Sequence, residues 1–386
     1  EIKGYALSFL QDYKVPNLLF LGTEQGLYIS LDHGDHWNAY RNNYPAVSTM
    51  DIAYNRKEDD LILGTFGRSV YIIDNVSGIR DLVEGKWSLQ DGLSLVGKST
   101  GYLVTYNRAP GSRFISDGGF KGQNEPYGAN IDFYIHPKVW KEKSKAKVEI
   151  LKGQEVIRNF HYAVDSGLNR MYWGLRKNGV RYPQHASIKA DADPAAGRWV
   201  EPGRFKIVVS YQDTLTDTLN VQVYLDPRYT FEDIYYTQYD SLGARADIIV
   251  NKAFESFEIL KEIDKGISLF KKAYLYKNDT MPKALKDTVT SINKTLKSLQ
   301  LLYMTDPNIK GYQYENDKLQ TYLYDLNRYY GVYHPASTMA ETSKVRAEQK
   351  LAEILGQFQT FLDKQYHPFI KGNSEYPYLK EYTLNK

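Results

Sequence analysis

Two segments of this chain repeat one another at a fixed spacing, and that repeat limits the fold more than any other feature. Asn17-Leu-Leu-Phe-Leu-Gly-Thr-Glu-Gln-Gly-Leu-Tyr-Ile-Ser30 aligns with Asp60-Leu-Ile-Leu-Gly-Thr-Phe-Gly-Arg-Ser-Val-Tyr-Ile-Ile73. Each reads as an apolar strand, a Gly-Thr pair, a Gly-containing turn and a second apolar strand. The spacing is about 42 residues, a period at which units of four strands recur. Short apolar or β-branched runs fill in the rest. They predict strands over Gly4–Asp12, Leu18–Thr23, Leu27–Asp32, Trp37–Tyr40, Val47–Asn55, Leu61–Thr65 and Ser69–Asp74.

Between the two segments lies Ser30-Leu31-Asp32-His33-Gly34-Asp35-His36-Trp37. Asp32 is expected to accept backbone N–H groups of its own turn. Gly34 supplies a positive φ. Ser30 bonds back across the turn, and Trp37 packs its ring between neighbouring strands. Asp32, Asp35, His33 and His36 also sit close enough in sequence to suggest a metal or catalytic site. Two His at i and i+3 in a tight hairpin point poorly at one ion, and a third ligand is not evident. The structural role is therefore favoured, and no metal is expected.

The octapeptide resembles the Asp-box, S-x-D-x-G-x-x-W, of β-propeller blades. The following segment extends the resemblance to the end of the BNR-repeat, sortilin (VPS10)-like propeller proteins of bacteria, which are often labelled glycosyl hydrolases. Their last blade carries a segment close to D-L-V-L-G-T-H-G-R-G-I-W-I-L-D-D-I-S-P-L-R. Here Asp60-Leu-Ile-Leu-Gly-Thr-Phe66-Gly-Arg68-Ser69-Val-Tyr-Ile-Ile-Asp74-Asn75-Val-Ser77-Gly-Ile-Arg80 stands in its place. The match covers about 80 residues. Phe66 replaces the family's His and Ser69 its second Gly, so any role of that His is lost. Arg68 and Asp74 are implied to bind a ligand or to close the last blade on its neighbour. The resemblance implies that residues 1–85 are the last two blades of a propeller. Propellers have four to eight blades, so open edges remain to be covered, and the other blades of a parent protein become the first expected partner.

Residues 86–228 read as a linker and a β-sandwich. Gly92-Leu-Ser-Leu-Val-Gly97-Lys98-Ser99 matches the P-loop pattern, and Val70-Tyr-Ile-Ile-Asp74 resembles a Walker B strand. A P-loop needs a helix after its glycine turn, whereas a strand-like Thr-Gly-Tyr-Leu-Val-Thr-Tyr follows here. Residues 108–128 form a Gly-rich loop, a flexible insertion or a binding loop. Strands are predicted over Ala129–Ile135, Lys147–Leu151, Glu155–Phe160, Gly167–Arg176, Gly203–Tyr211 and Asp217–Leu225. Trp173 and the Glu201-Pro-Gly turn resemble the immunoglobulin- or fibronectin-like module of the same bacterial proteins.

Residues 229–386 turn helical. Helices are predicted over Ile234–Tyr276, with Ile248 and Phe257 on the apolar face, from Pro282, over Tyr314–Tyr330, and over Ser343–Tyr366 with Val345 and Phe358. They make an antiparallel bundle of three or four helices with a Tyr/Pro-rich tail from His367. The fold class is therefore multidomain, mainly β then α. Thr214, Thr218, Ser241, Thr280 and Thr288 each follow Asp and precede an apolar residue. That pattern resembles the O-glycosylation sequon of some bacterial periplasmic systems, though Asp-Thr also suits caps and turns.

Composition narrows the function classes. The 386 residues, 42% apolar and 25% charged, fit two or three globular domains. A net charge of +3 is small for this length and argues against a dedicated nucleic-acid binder. Cysteine is absent, which removes disulfides, zinc thiolates and a cysteine nucleophile. No apolar run is long enough to span a membrane. The chain begins at Glu1 without a signal peptide, and the natural polypeptide is expected to start upstream. The seven His are scattered, no catalytic residues assemble, and no cofactor is called for. The expected function is a non-catalytic binding or scaffold portion of a secreted, periplasmic or cell-surface bacterial protein. Its ligand is a protein, peptide or glycan, and an outer-membrane or cell-surface complex is a further partner. The alternative is a glycoside hydrolase whose active site lies on blades outside this chain.

Overall fold

The computed structural model describes residues 2–104, 126–189, 191–228, 233–309, 311, 317–330 and 337–384. The chain divides into two compact units, Glu1–Arg176 with Trp199–Tyr229, and Lys177–Arg198 with Thr230–Lys386. The first is mainly β and the second mainly helical, the order the sequence predicts.

The first unit opens with two small antiparallel sheets. Strands β1 (Ala6–Gln11), β2 (Leu19–Thr23), β3 (Gly26–Ser30) and β4 (Asn38–Tyr40) form one, in that spatial order. Strands β5 (Thr49–Asn55), β6 (Asp60–Thr65) and β7 (Val70–Ile73) form the other. The repeat read from the sequence extends to shared details of pairing. β1 carries a register shift between Ala6 and Ser8, and β5 carries one at the equivalent place, between Thr49 and Asp51. Gly22 pairs with Leu27 as Gly64 pairs with Val70. The Thr23 hydroxyl donates to the Gly26 carbonyl at 3.1 Å, and the Thr65 hydroxyl to the Ser69 carbonyl at 2.6 Å. Gly26 and Ser69 both have positive φ, 115° and 64°.

Side chains alternate between the faces of a strand, so the pairings assign each face. Leu10, Phe20 and Ile29 share one face of the first sheet. They pack against Ile52, Leu63 and Tyr71, which share one face of the second. The opposite faces point away from this core. On the first sheet Leu7 and Phe9 are 39% and 59% exposed. On the second Val70 and Ile72 are 58% and 57% exposed.

A short helix, α1 (Ser77–Val83), follows β7; seven residues are too few for a helical periodicity to mark it. Two further sheets complete the unit. β8 (Leu93–Val96), β10 (Ala129–Ile135) and β13 (Gly167–Trp173) form a three-stranded sheet in the order β13-β10-β8. β9 (Ser99–Leu103), β11 (Lys145–Lys152), β12 (Glu155–Ala163), β16 (Gly203–Tyr211) and β17 (Leu215–Leu225) form a five-stranded sheet in the order β12-β11-β16-β17-β9. All ladders are antiparallel except β9 on β17. The two sheets pack face to face. Trp173 meets Phe205 edge-on at 5.2 Å, and Phe133 meets Tyr162 at 6.2 Å. β14 (Arg176–Asn178) and β15 (Ala196–Trp199) pair as a ribbon. The P-loop-like segment is a strand, a turn at Gly97 with φ 74°, and another strand, with no helix to hold phosphate.

The second unit is built on α2 (Asp233–Asn278), a single helix of 46 residues. It packs with α3 (Lys283–Tyr303), α4 (Leu319–Tyr330) and α5 (Thr338–Phe361) around Phe257, Phe270, Leu296, Leu323, Ile354 and Phe358. Pro282 caps α3, where its missing N–H costs no helical bond. After α5 the helix widens into a π turn over Leu362–Tyr366 before α6 (His367–Lys371). Pro368 cannot donate to the carbonyl four residues back, which accounts for the change of pitch. The Tyr/Pro-rich tail folds back on the helices. Tyr376 meets Phe270 at 4.8 Å, and the Tyr382 hydroxyl donates to Glu262 at 2.9 Å. Two expected core positions are corrected. Ile248 and Val345 are 57% and 45% exposed, because each lies a position off the stripe that faces the other helices.

Candidate binding cleft

The Ser30–Trp37 turn is tied through its own side chains. The Ser30 hydroxyl donates to Asp32 Oδ1 at 2.8 Å and accepts the Gly34 N–H at 2.8 Å. Asp32 Oδ1 accepts the His36 N–H at 2.9 Å, and Oδ2 lies 2.6 Å from His36 Nδ1. The backbone and ring of His36 hold the Asp32 carboxyl down to about 2. Gly34 has φ 99°, and Trp37 lies half-buried close over it. His33 turns the other way, to the Pro16 carbonyl at 3.2 Å. The turn thus satisfies its own polar groups. No group of three or more His, Asp or Glu among the described residues is placed to hold a metal ion.

A second cluster was not read from the sequence. Asp12 and Arg80 are almost fully buried, and the Arg80 Nε–H donates to Asp12 Oδ2 at 2.8 Å. Arg80 Nη1 donates to Asp59 Oδ1 at 2.6 Å, and Tyr54 and Tyr13 donate to Asp12 and Asp59 at 2.6 and 2.5 Å. Burial opposes ionisation of both carboxyls. Hydrogen bonds outweigh it, from Tyr54 and backbone N–H groups at Asp12 and from Lys14, Tyr13 and Arg80 at Asp59. Asp12 therefore titrates below its ordinary range, and Asp59 at about 2. Arg80 Nη2 is buried without a hydrogen-bond partner, while the guanidinium lies 5.0 Å from the Tyr13 ring and 5.6 Å from Tyr54. The cluster joins the β1–β2 loop, β5, the start of β6 and α1. Its place in the structure is that of a fastening: Asp12 and Arg80 are buried, while Asp59 and Lys14 lie at its solvent side.

The first unit holds an aromatic-lined cleft of about 600 Å³. One wall is β7 with Asp74; the others come from the 40–44 loop, α1 and the face of β8, β10 and β13. Tyr40, Tyr44, Tyr71, Trp87 and Tyr134 supply an aromatic lining. Most of their polar ends are engaged. Trp87 Nε1 donates to the Gly78 carbonyl at 2.9 Å, Tyr134 to the Leu89 carbonyl at 3.2 Å, and Tyr44 bonds Thr49 at 2.6 Å. At one end Arg170 grips Asp132 through Nε and Nη2, both at 2.7 Å. Its Nη2 also reaches the Asp74 carbonyl at 3.0 Å. Burial lowers the affinity of Arg170 for its proton, but the Asp132 bonds more than restore it. Burial pushes the Asp74 carboxyl up; Arg170 opposes, and Asp60 and Asp132 add to the rise. The arrangement offers aromatic surface, one guanidinium fixed by Asp132, and the Asp74 carboxylate at 3.8 Å from Arg170 Nη1. It can hold a ligand, but it contains no nucleophile–base pair.

The residues singled out in the sequence do not gather in one place. Asp74 is at the cleft. Arg68 is exposed in the β6–β7 turn and makes no hydrogen bond or ion pair among the described residues, and Phe66 beside it is 75% exposed. Thr214, Thr218, Ser241, Thr280 and Thr288 are all exposed. Thr214 lies in the β16–β17 turn, while Ser241 and Thr288 bond back to their own helices at 3.1 and 2.9 Å. Most of the Gly-rich 108–128 loop lies outside the described residues. No described helix is long and apolar enough to cross a membrane.

No protein-family model matches the chain, and neither does any curated protein. Solved structures with some likeness include the extracellular domain of the BT4673 hybrid two-component system from B. thetaiotaomicron, at 15% identity and a TM-score of 0.16, the match covering 58% of this chain and 26% of that one. Another is the extracellular domain of BT4673 described as a one-component system, at 14% identity and a TM-score of 0.15, covering 58% and 25%. The chain spans about a quarter of the length of these structures. A likeness this slight fixes neither fold nor function.

Proposed function

We propose that these residues form a non-catalytic binding and scaffold portion of a secreted or envelope-associated bacterial protein of the sortilin-like propeller type. Residues 1–85 act as two blades, the two face-packed sheets as an immunoglobulin-like module, and the helices as a docking surface. The ligand is a protein, peptide or glycan. One observation carries this reading: among the described residues, the second of two equivalent sheets leaves Val70 and Ile72 exposed where their equivalents in the first, Leu27 and Ile29, are buried. The outer face of the second sheet, with Ile62 and Ile72, is equivalent to the face of the first, with Phe20 and Ile29, that packs on it. Equivalent faces call for equivalent neighbours, so a further sheet of the same kind suits the outer face of the second. The test is a glycan array and a peptide array probed with the 386-residue chain, with a hydrolysis assay alongside. Binding without turnover is expected. Turnover abolished by a single carboxylate substitution would contradict the reading and favour a glycoside hydrolase.

A further inference from the structure

One end of the cleft holds a hydrogen-bond donor and an acceptor that do not reach each other. Arg170 commits Nε and Nη2 to Asp132, both at 2.7 Å, and Nη2 also reaches the Asp74 carbonyl at 3.0 Å. Its Nη1 stands 3.8 Å from Asp74 Oδ2, too far for a hydrogen bond. Among the described residues the Asp74 carboxylate accepts no hydrogen bond, and Nη1 donates none. A gap of this width is closed by one atom that both accepts and donates, and a hydroxyl oxygen does so. An amide N–H and a carbonyl divide those roles between two atoms. Charge disfavours ions in the gap. An anion would meet Asp74, and a cation would meet Arg170.

Aromatic surface lines the same cleft. Tyr44 is buried, and its hydroxyl is tied to Thr49 at 2.6 Å. Tyr71 meets its ring edge-on at 5.0 Å, and Tyr40 meets it at 6.5 Å. Tyr40 and Tyr71 are themselves half-buried, so they add ring surface to the wall. The polar ends of Trp87 and Tyr134 bond backbone carbonyls, which leaves their rings to the lining. An aromatic face carries partial negative charge and attracts the weakly positive C–H groups on one side of a sugar ring. Ring faces beside a gap fitted to a hydroxyl match a molecule with C–H faces and hydroxyl edges. The volume of about 600 Å³ is in the range of small-molecule sites.

We propose that this cleft binds a neutral sugar. One hydroxyl bridges Arg170 Nη1 and Asp74 Oδ2, and a C–H face of the ring lies on the Tyr40–Tyr71 surface. This rests on the binding reading above and names the ligand class and the residues that hold it.

The probes are neutral trisaccharides of glucose, mannose and galactose, with sialyllactose as an anionic and a glucosamine trimer as a cationic comparison. Each is titrated calorimetrically into the intact chain. At least one neutral trisaccharide is expected to bind with a Kd of about 0.1–1 mM, and more tightly than either charged sugar. Asp74→Ala should weaken it about ten-fold, a change of about 1.4 kcal/mol. The Asp74 side chain is 64% exposed, so this variant should melt like the parent chain. Tyr71→Ala should weaken binding by a similar factor, while Tyr71→Phe, which keeps the ring, should not. If Tyr71→Ala fails to fold, Asp74→Ala decides alone. Sugar binding unchanged by Asp74→Ala would place the sugar elsewhere and overturn the proposal, with the binding reading intact. No binding of any neutral sugar, tighter binding of a charged one, or a peptide whose affinity falls with the same substitutions would also overturn it. Hydrolysis of a trisaccharide whose affinity falls with Asp74→Ala would uphold the cleft as a sugar site and overturn the non-catalytic reading instead.

Discussion

Arg80 shows how much one buried side chain can hold. It reaches Asp12, 68 residues earlier in the chain, and Asp59 through separate nitrogens. Replacing it with Met leaves the fully buried Asp12 carboxylate without a cation, while Asp59 keeps Lys14 at 2.8 Å. We expect a loss of about 3–5 kcal/mol in denaturant unfolding of the first unit. Asp12→Leu combined with Arg80→Met should cost less than Arg80→Met alone, because no uncompensated charge remains. The same cluster sets an acid limit. Asp12 and Asp59 bind protons less readily in the fold than in the unfolded chain, where the ordinary value is 3.8. Their stabilisation is complete above that value and is lost as pH falls toward 2. Asp59 alone contributes about 1–2 kcal/mol at neutral pH. Asp59→Asn should therefore flatten the fall in stability between pH 4 and pH 2, a change that thermal melts across that range would register. Little of this was legible in the sequence. Asp12, Asp59 and Arg80 lie in different elements, and only the folded chain brings them together. The Asp-box was legible because its bonds close within eight residues.

Strands and sheets carried more of the signal. The doubled Gly-Thr unit predicted equivalent hairpins, and the equivalence extends to a shared bulge and a shared threonine bond. The missing counterpart of β4 was not visible, because a strand's absence leaves no mark in an apolar pattern. Helix α1 escaped because seven residues give too few turns for a periodicity. Ile248 and Val345 misled because an apolar residue near a helical stripe need not be on it. The repeat makes a sharp prediction at its two glycines. A Cβ on Gly22 would lie 2.2 Å from Ser8 Oγ and 2.5 Å from the Thr49 carbonyl of the neighbouring sheet. A Cβ on Gly64 would meet nothing nearer than 3.6 Å, since no sheet faces it. Gly22→Ala should destabilise by about 1–3 kcal/mol, while Gly64→Ala should be neutral or slightly stabilising in urea titrations.

At the scale of the whole molecule, each unit has its own core, so each should unfold as its own cooperative transition in calorimetry. In the first unit the decisive feature is a stack of two equivalent sheets that, among the described residues, leaves apolar side chains exposed on its outer sides, at Leu7 and Phe9 of β1 and at Val70 and Ile72 of β7. Such faces are surfaces for association, and further sheets are their natural cover. The most direct test is carbene footprinting of the purified chain, read residue by residue by mass spectrometry. Labelling should be strong at Phe9, Met50, Val70 and Ile72 and weak at Leu27 and Ile29, the repeat equivalents of the last two. Equal protection at all six positions would mean that the stack is closed, and would contradict the account.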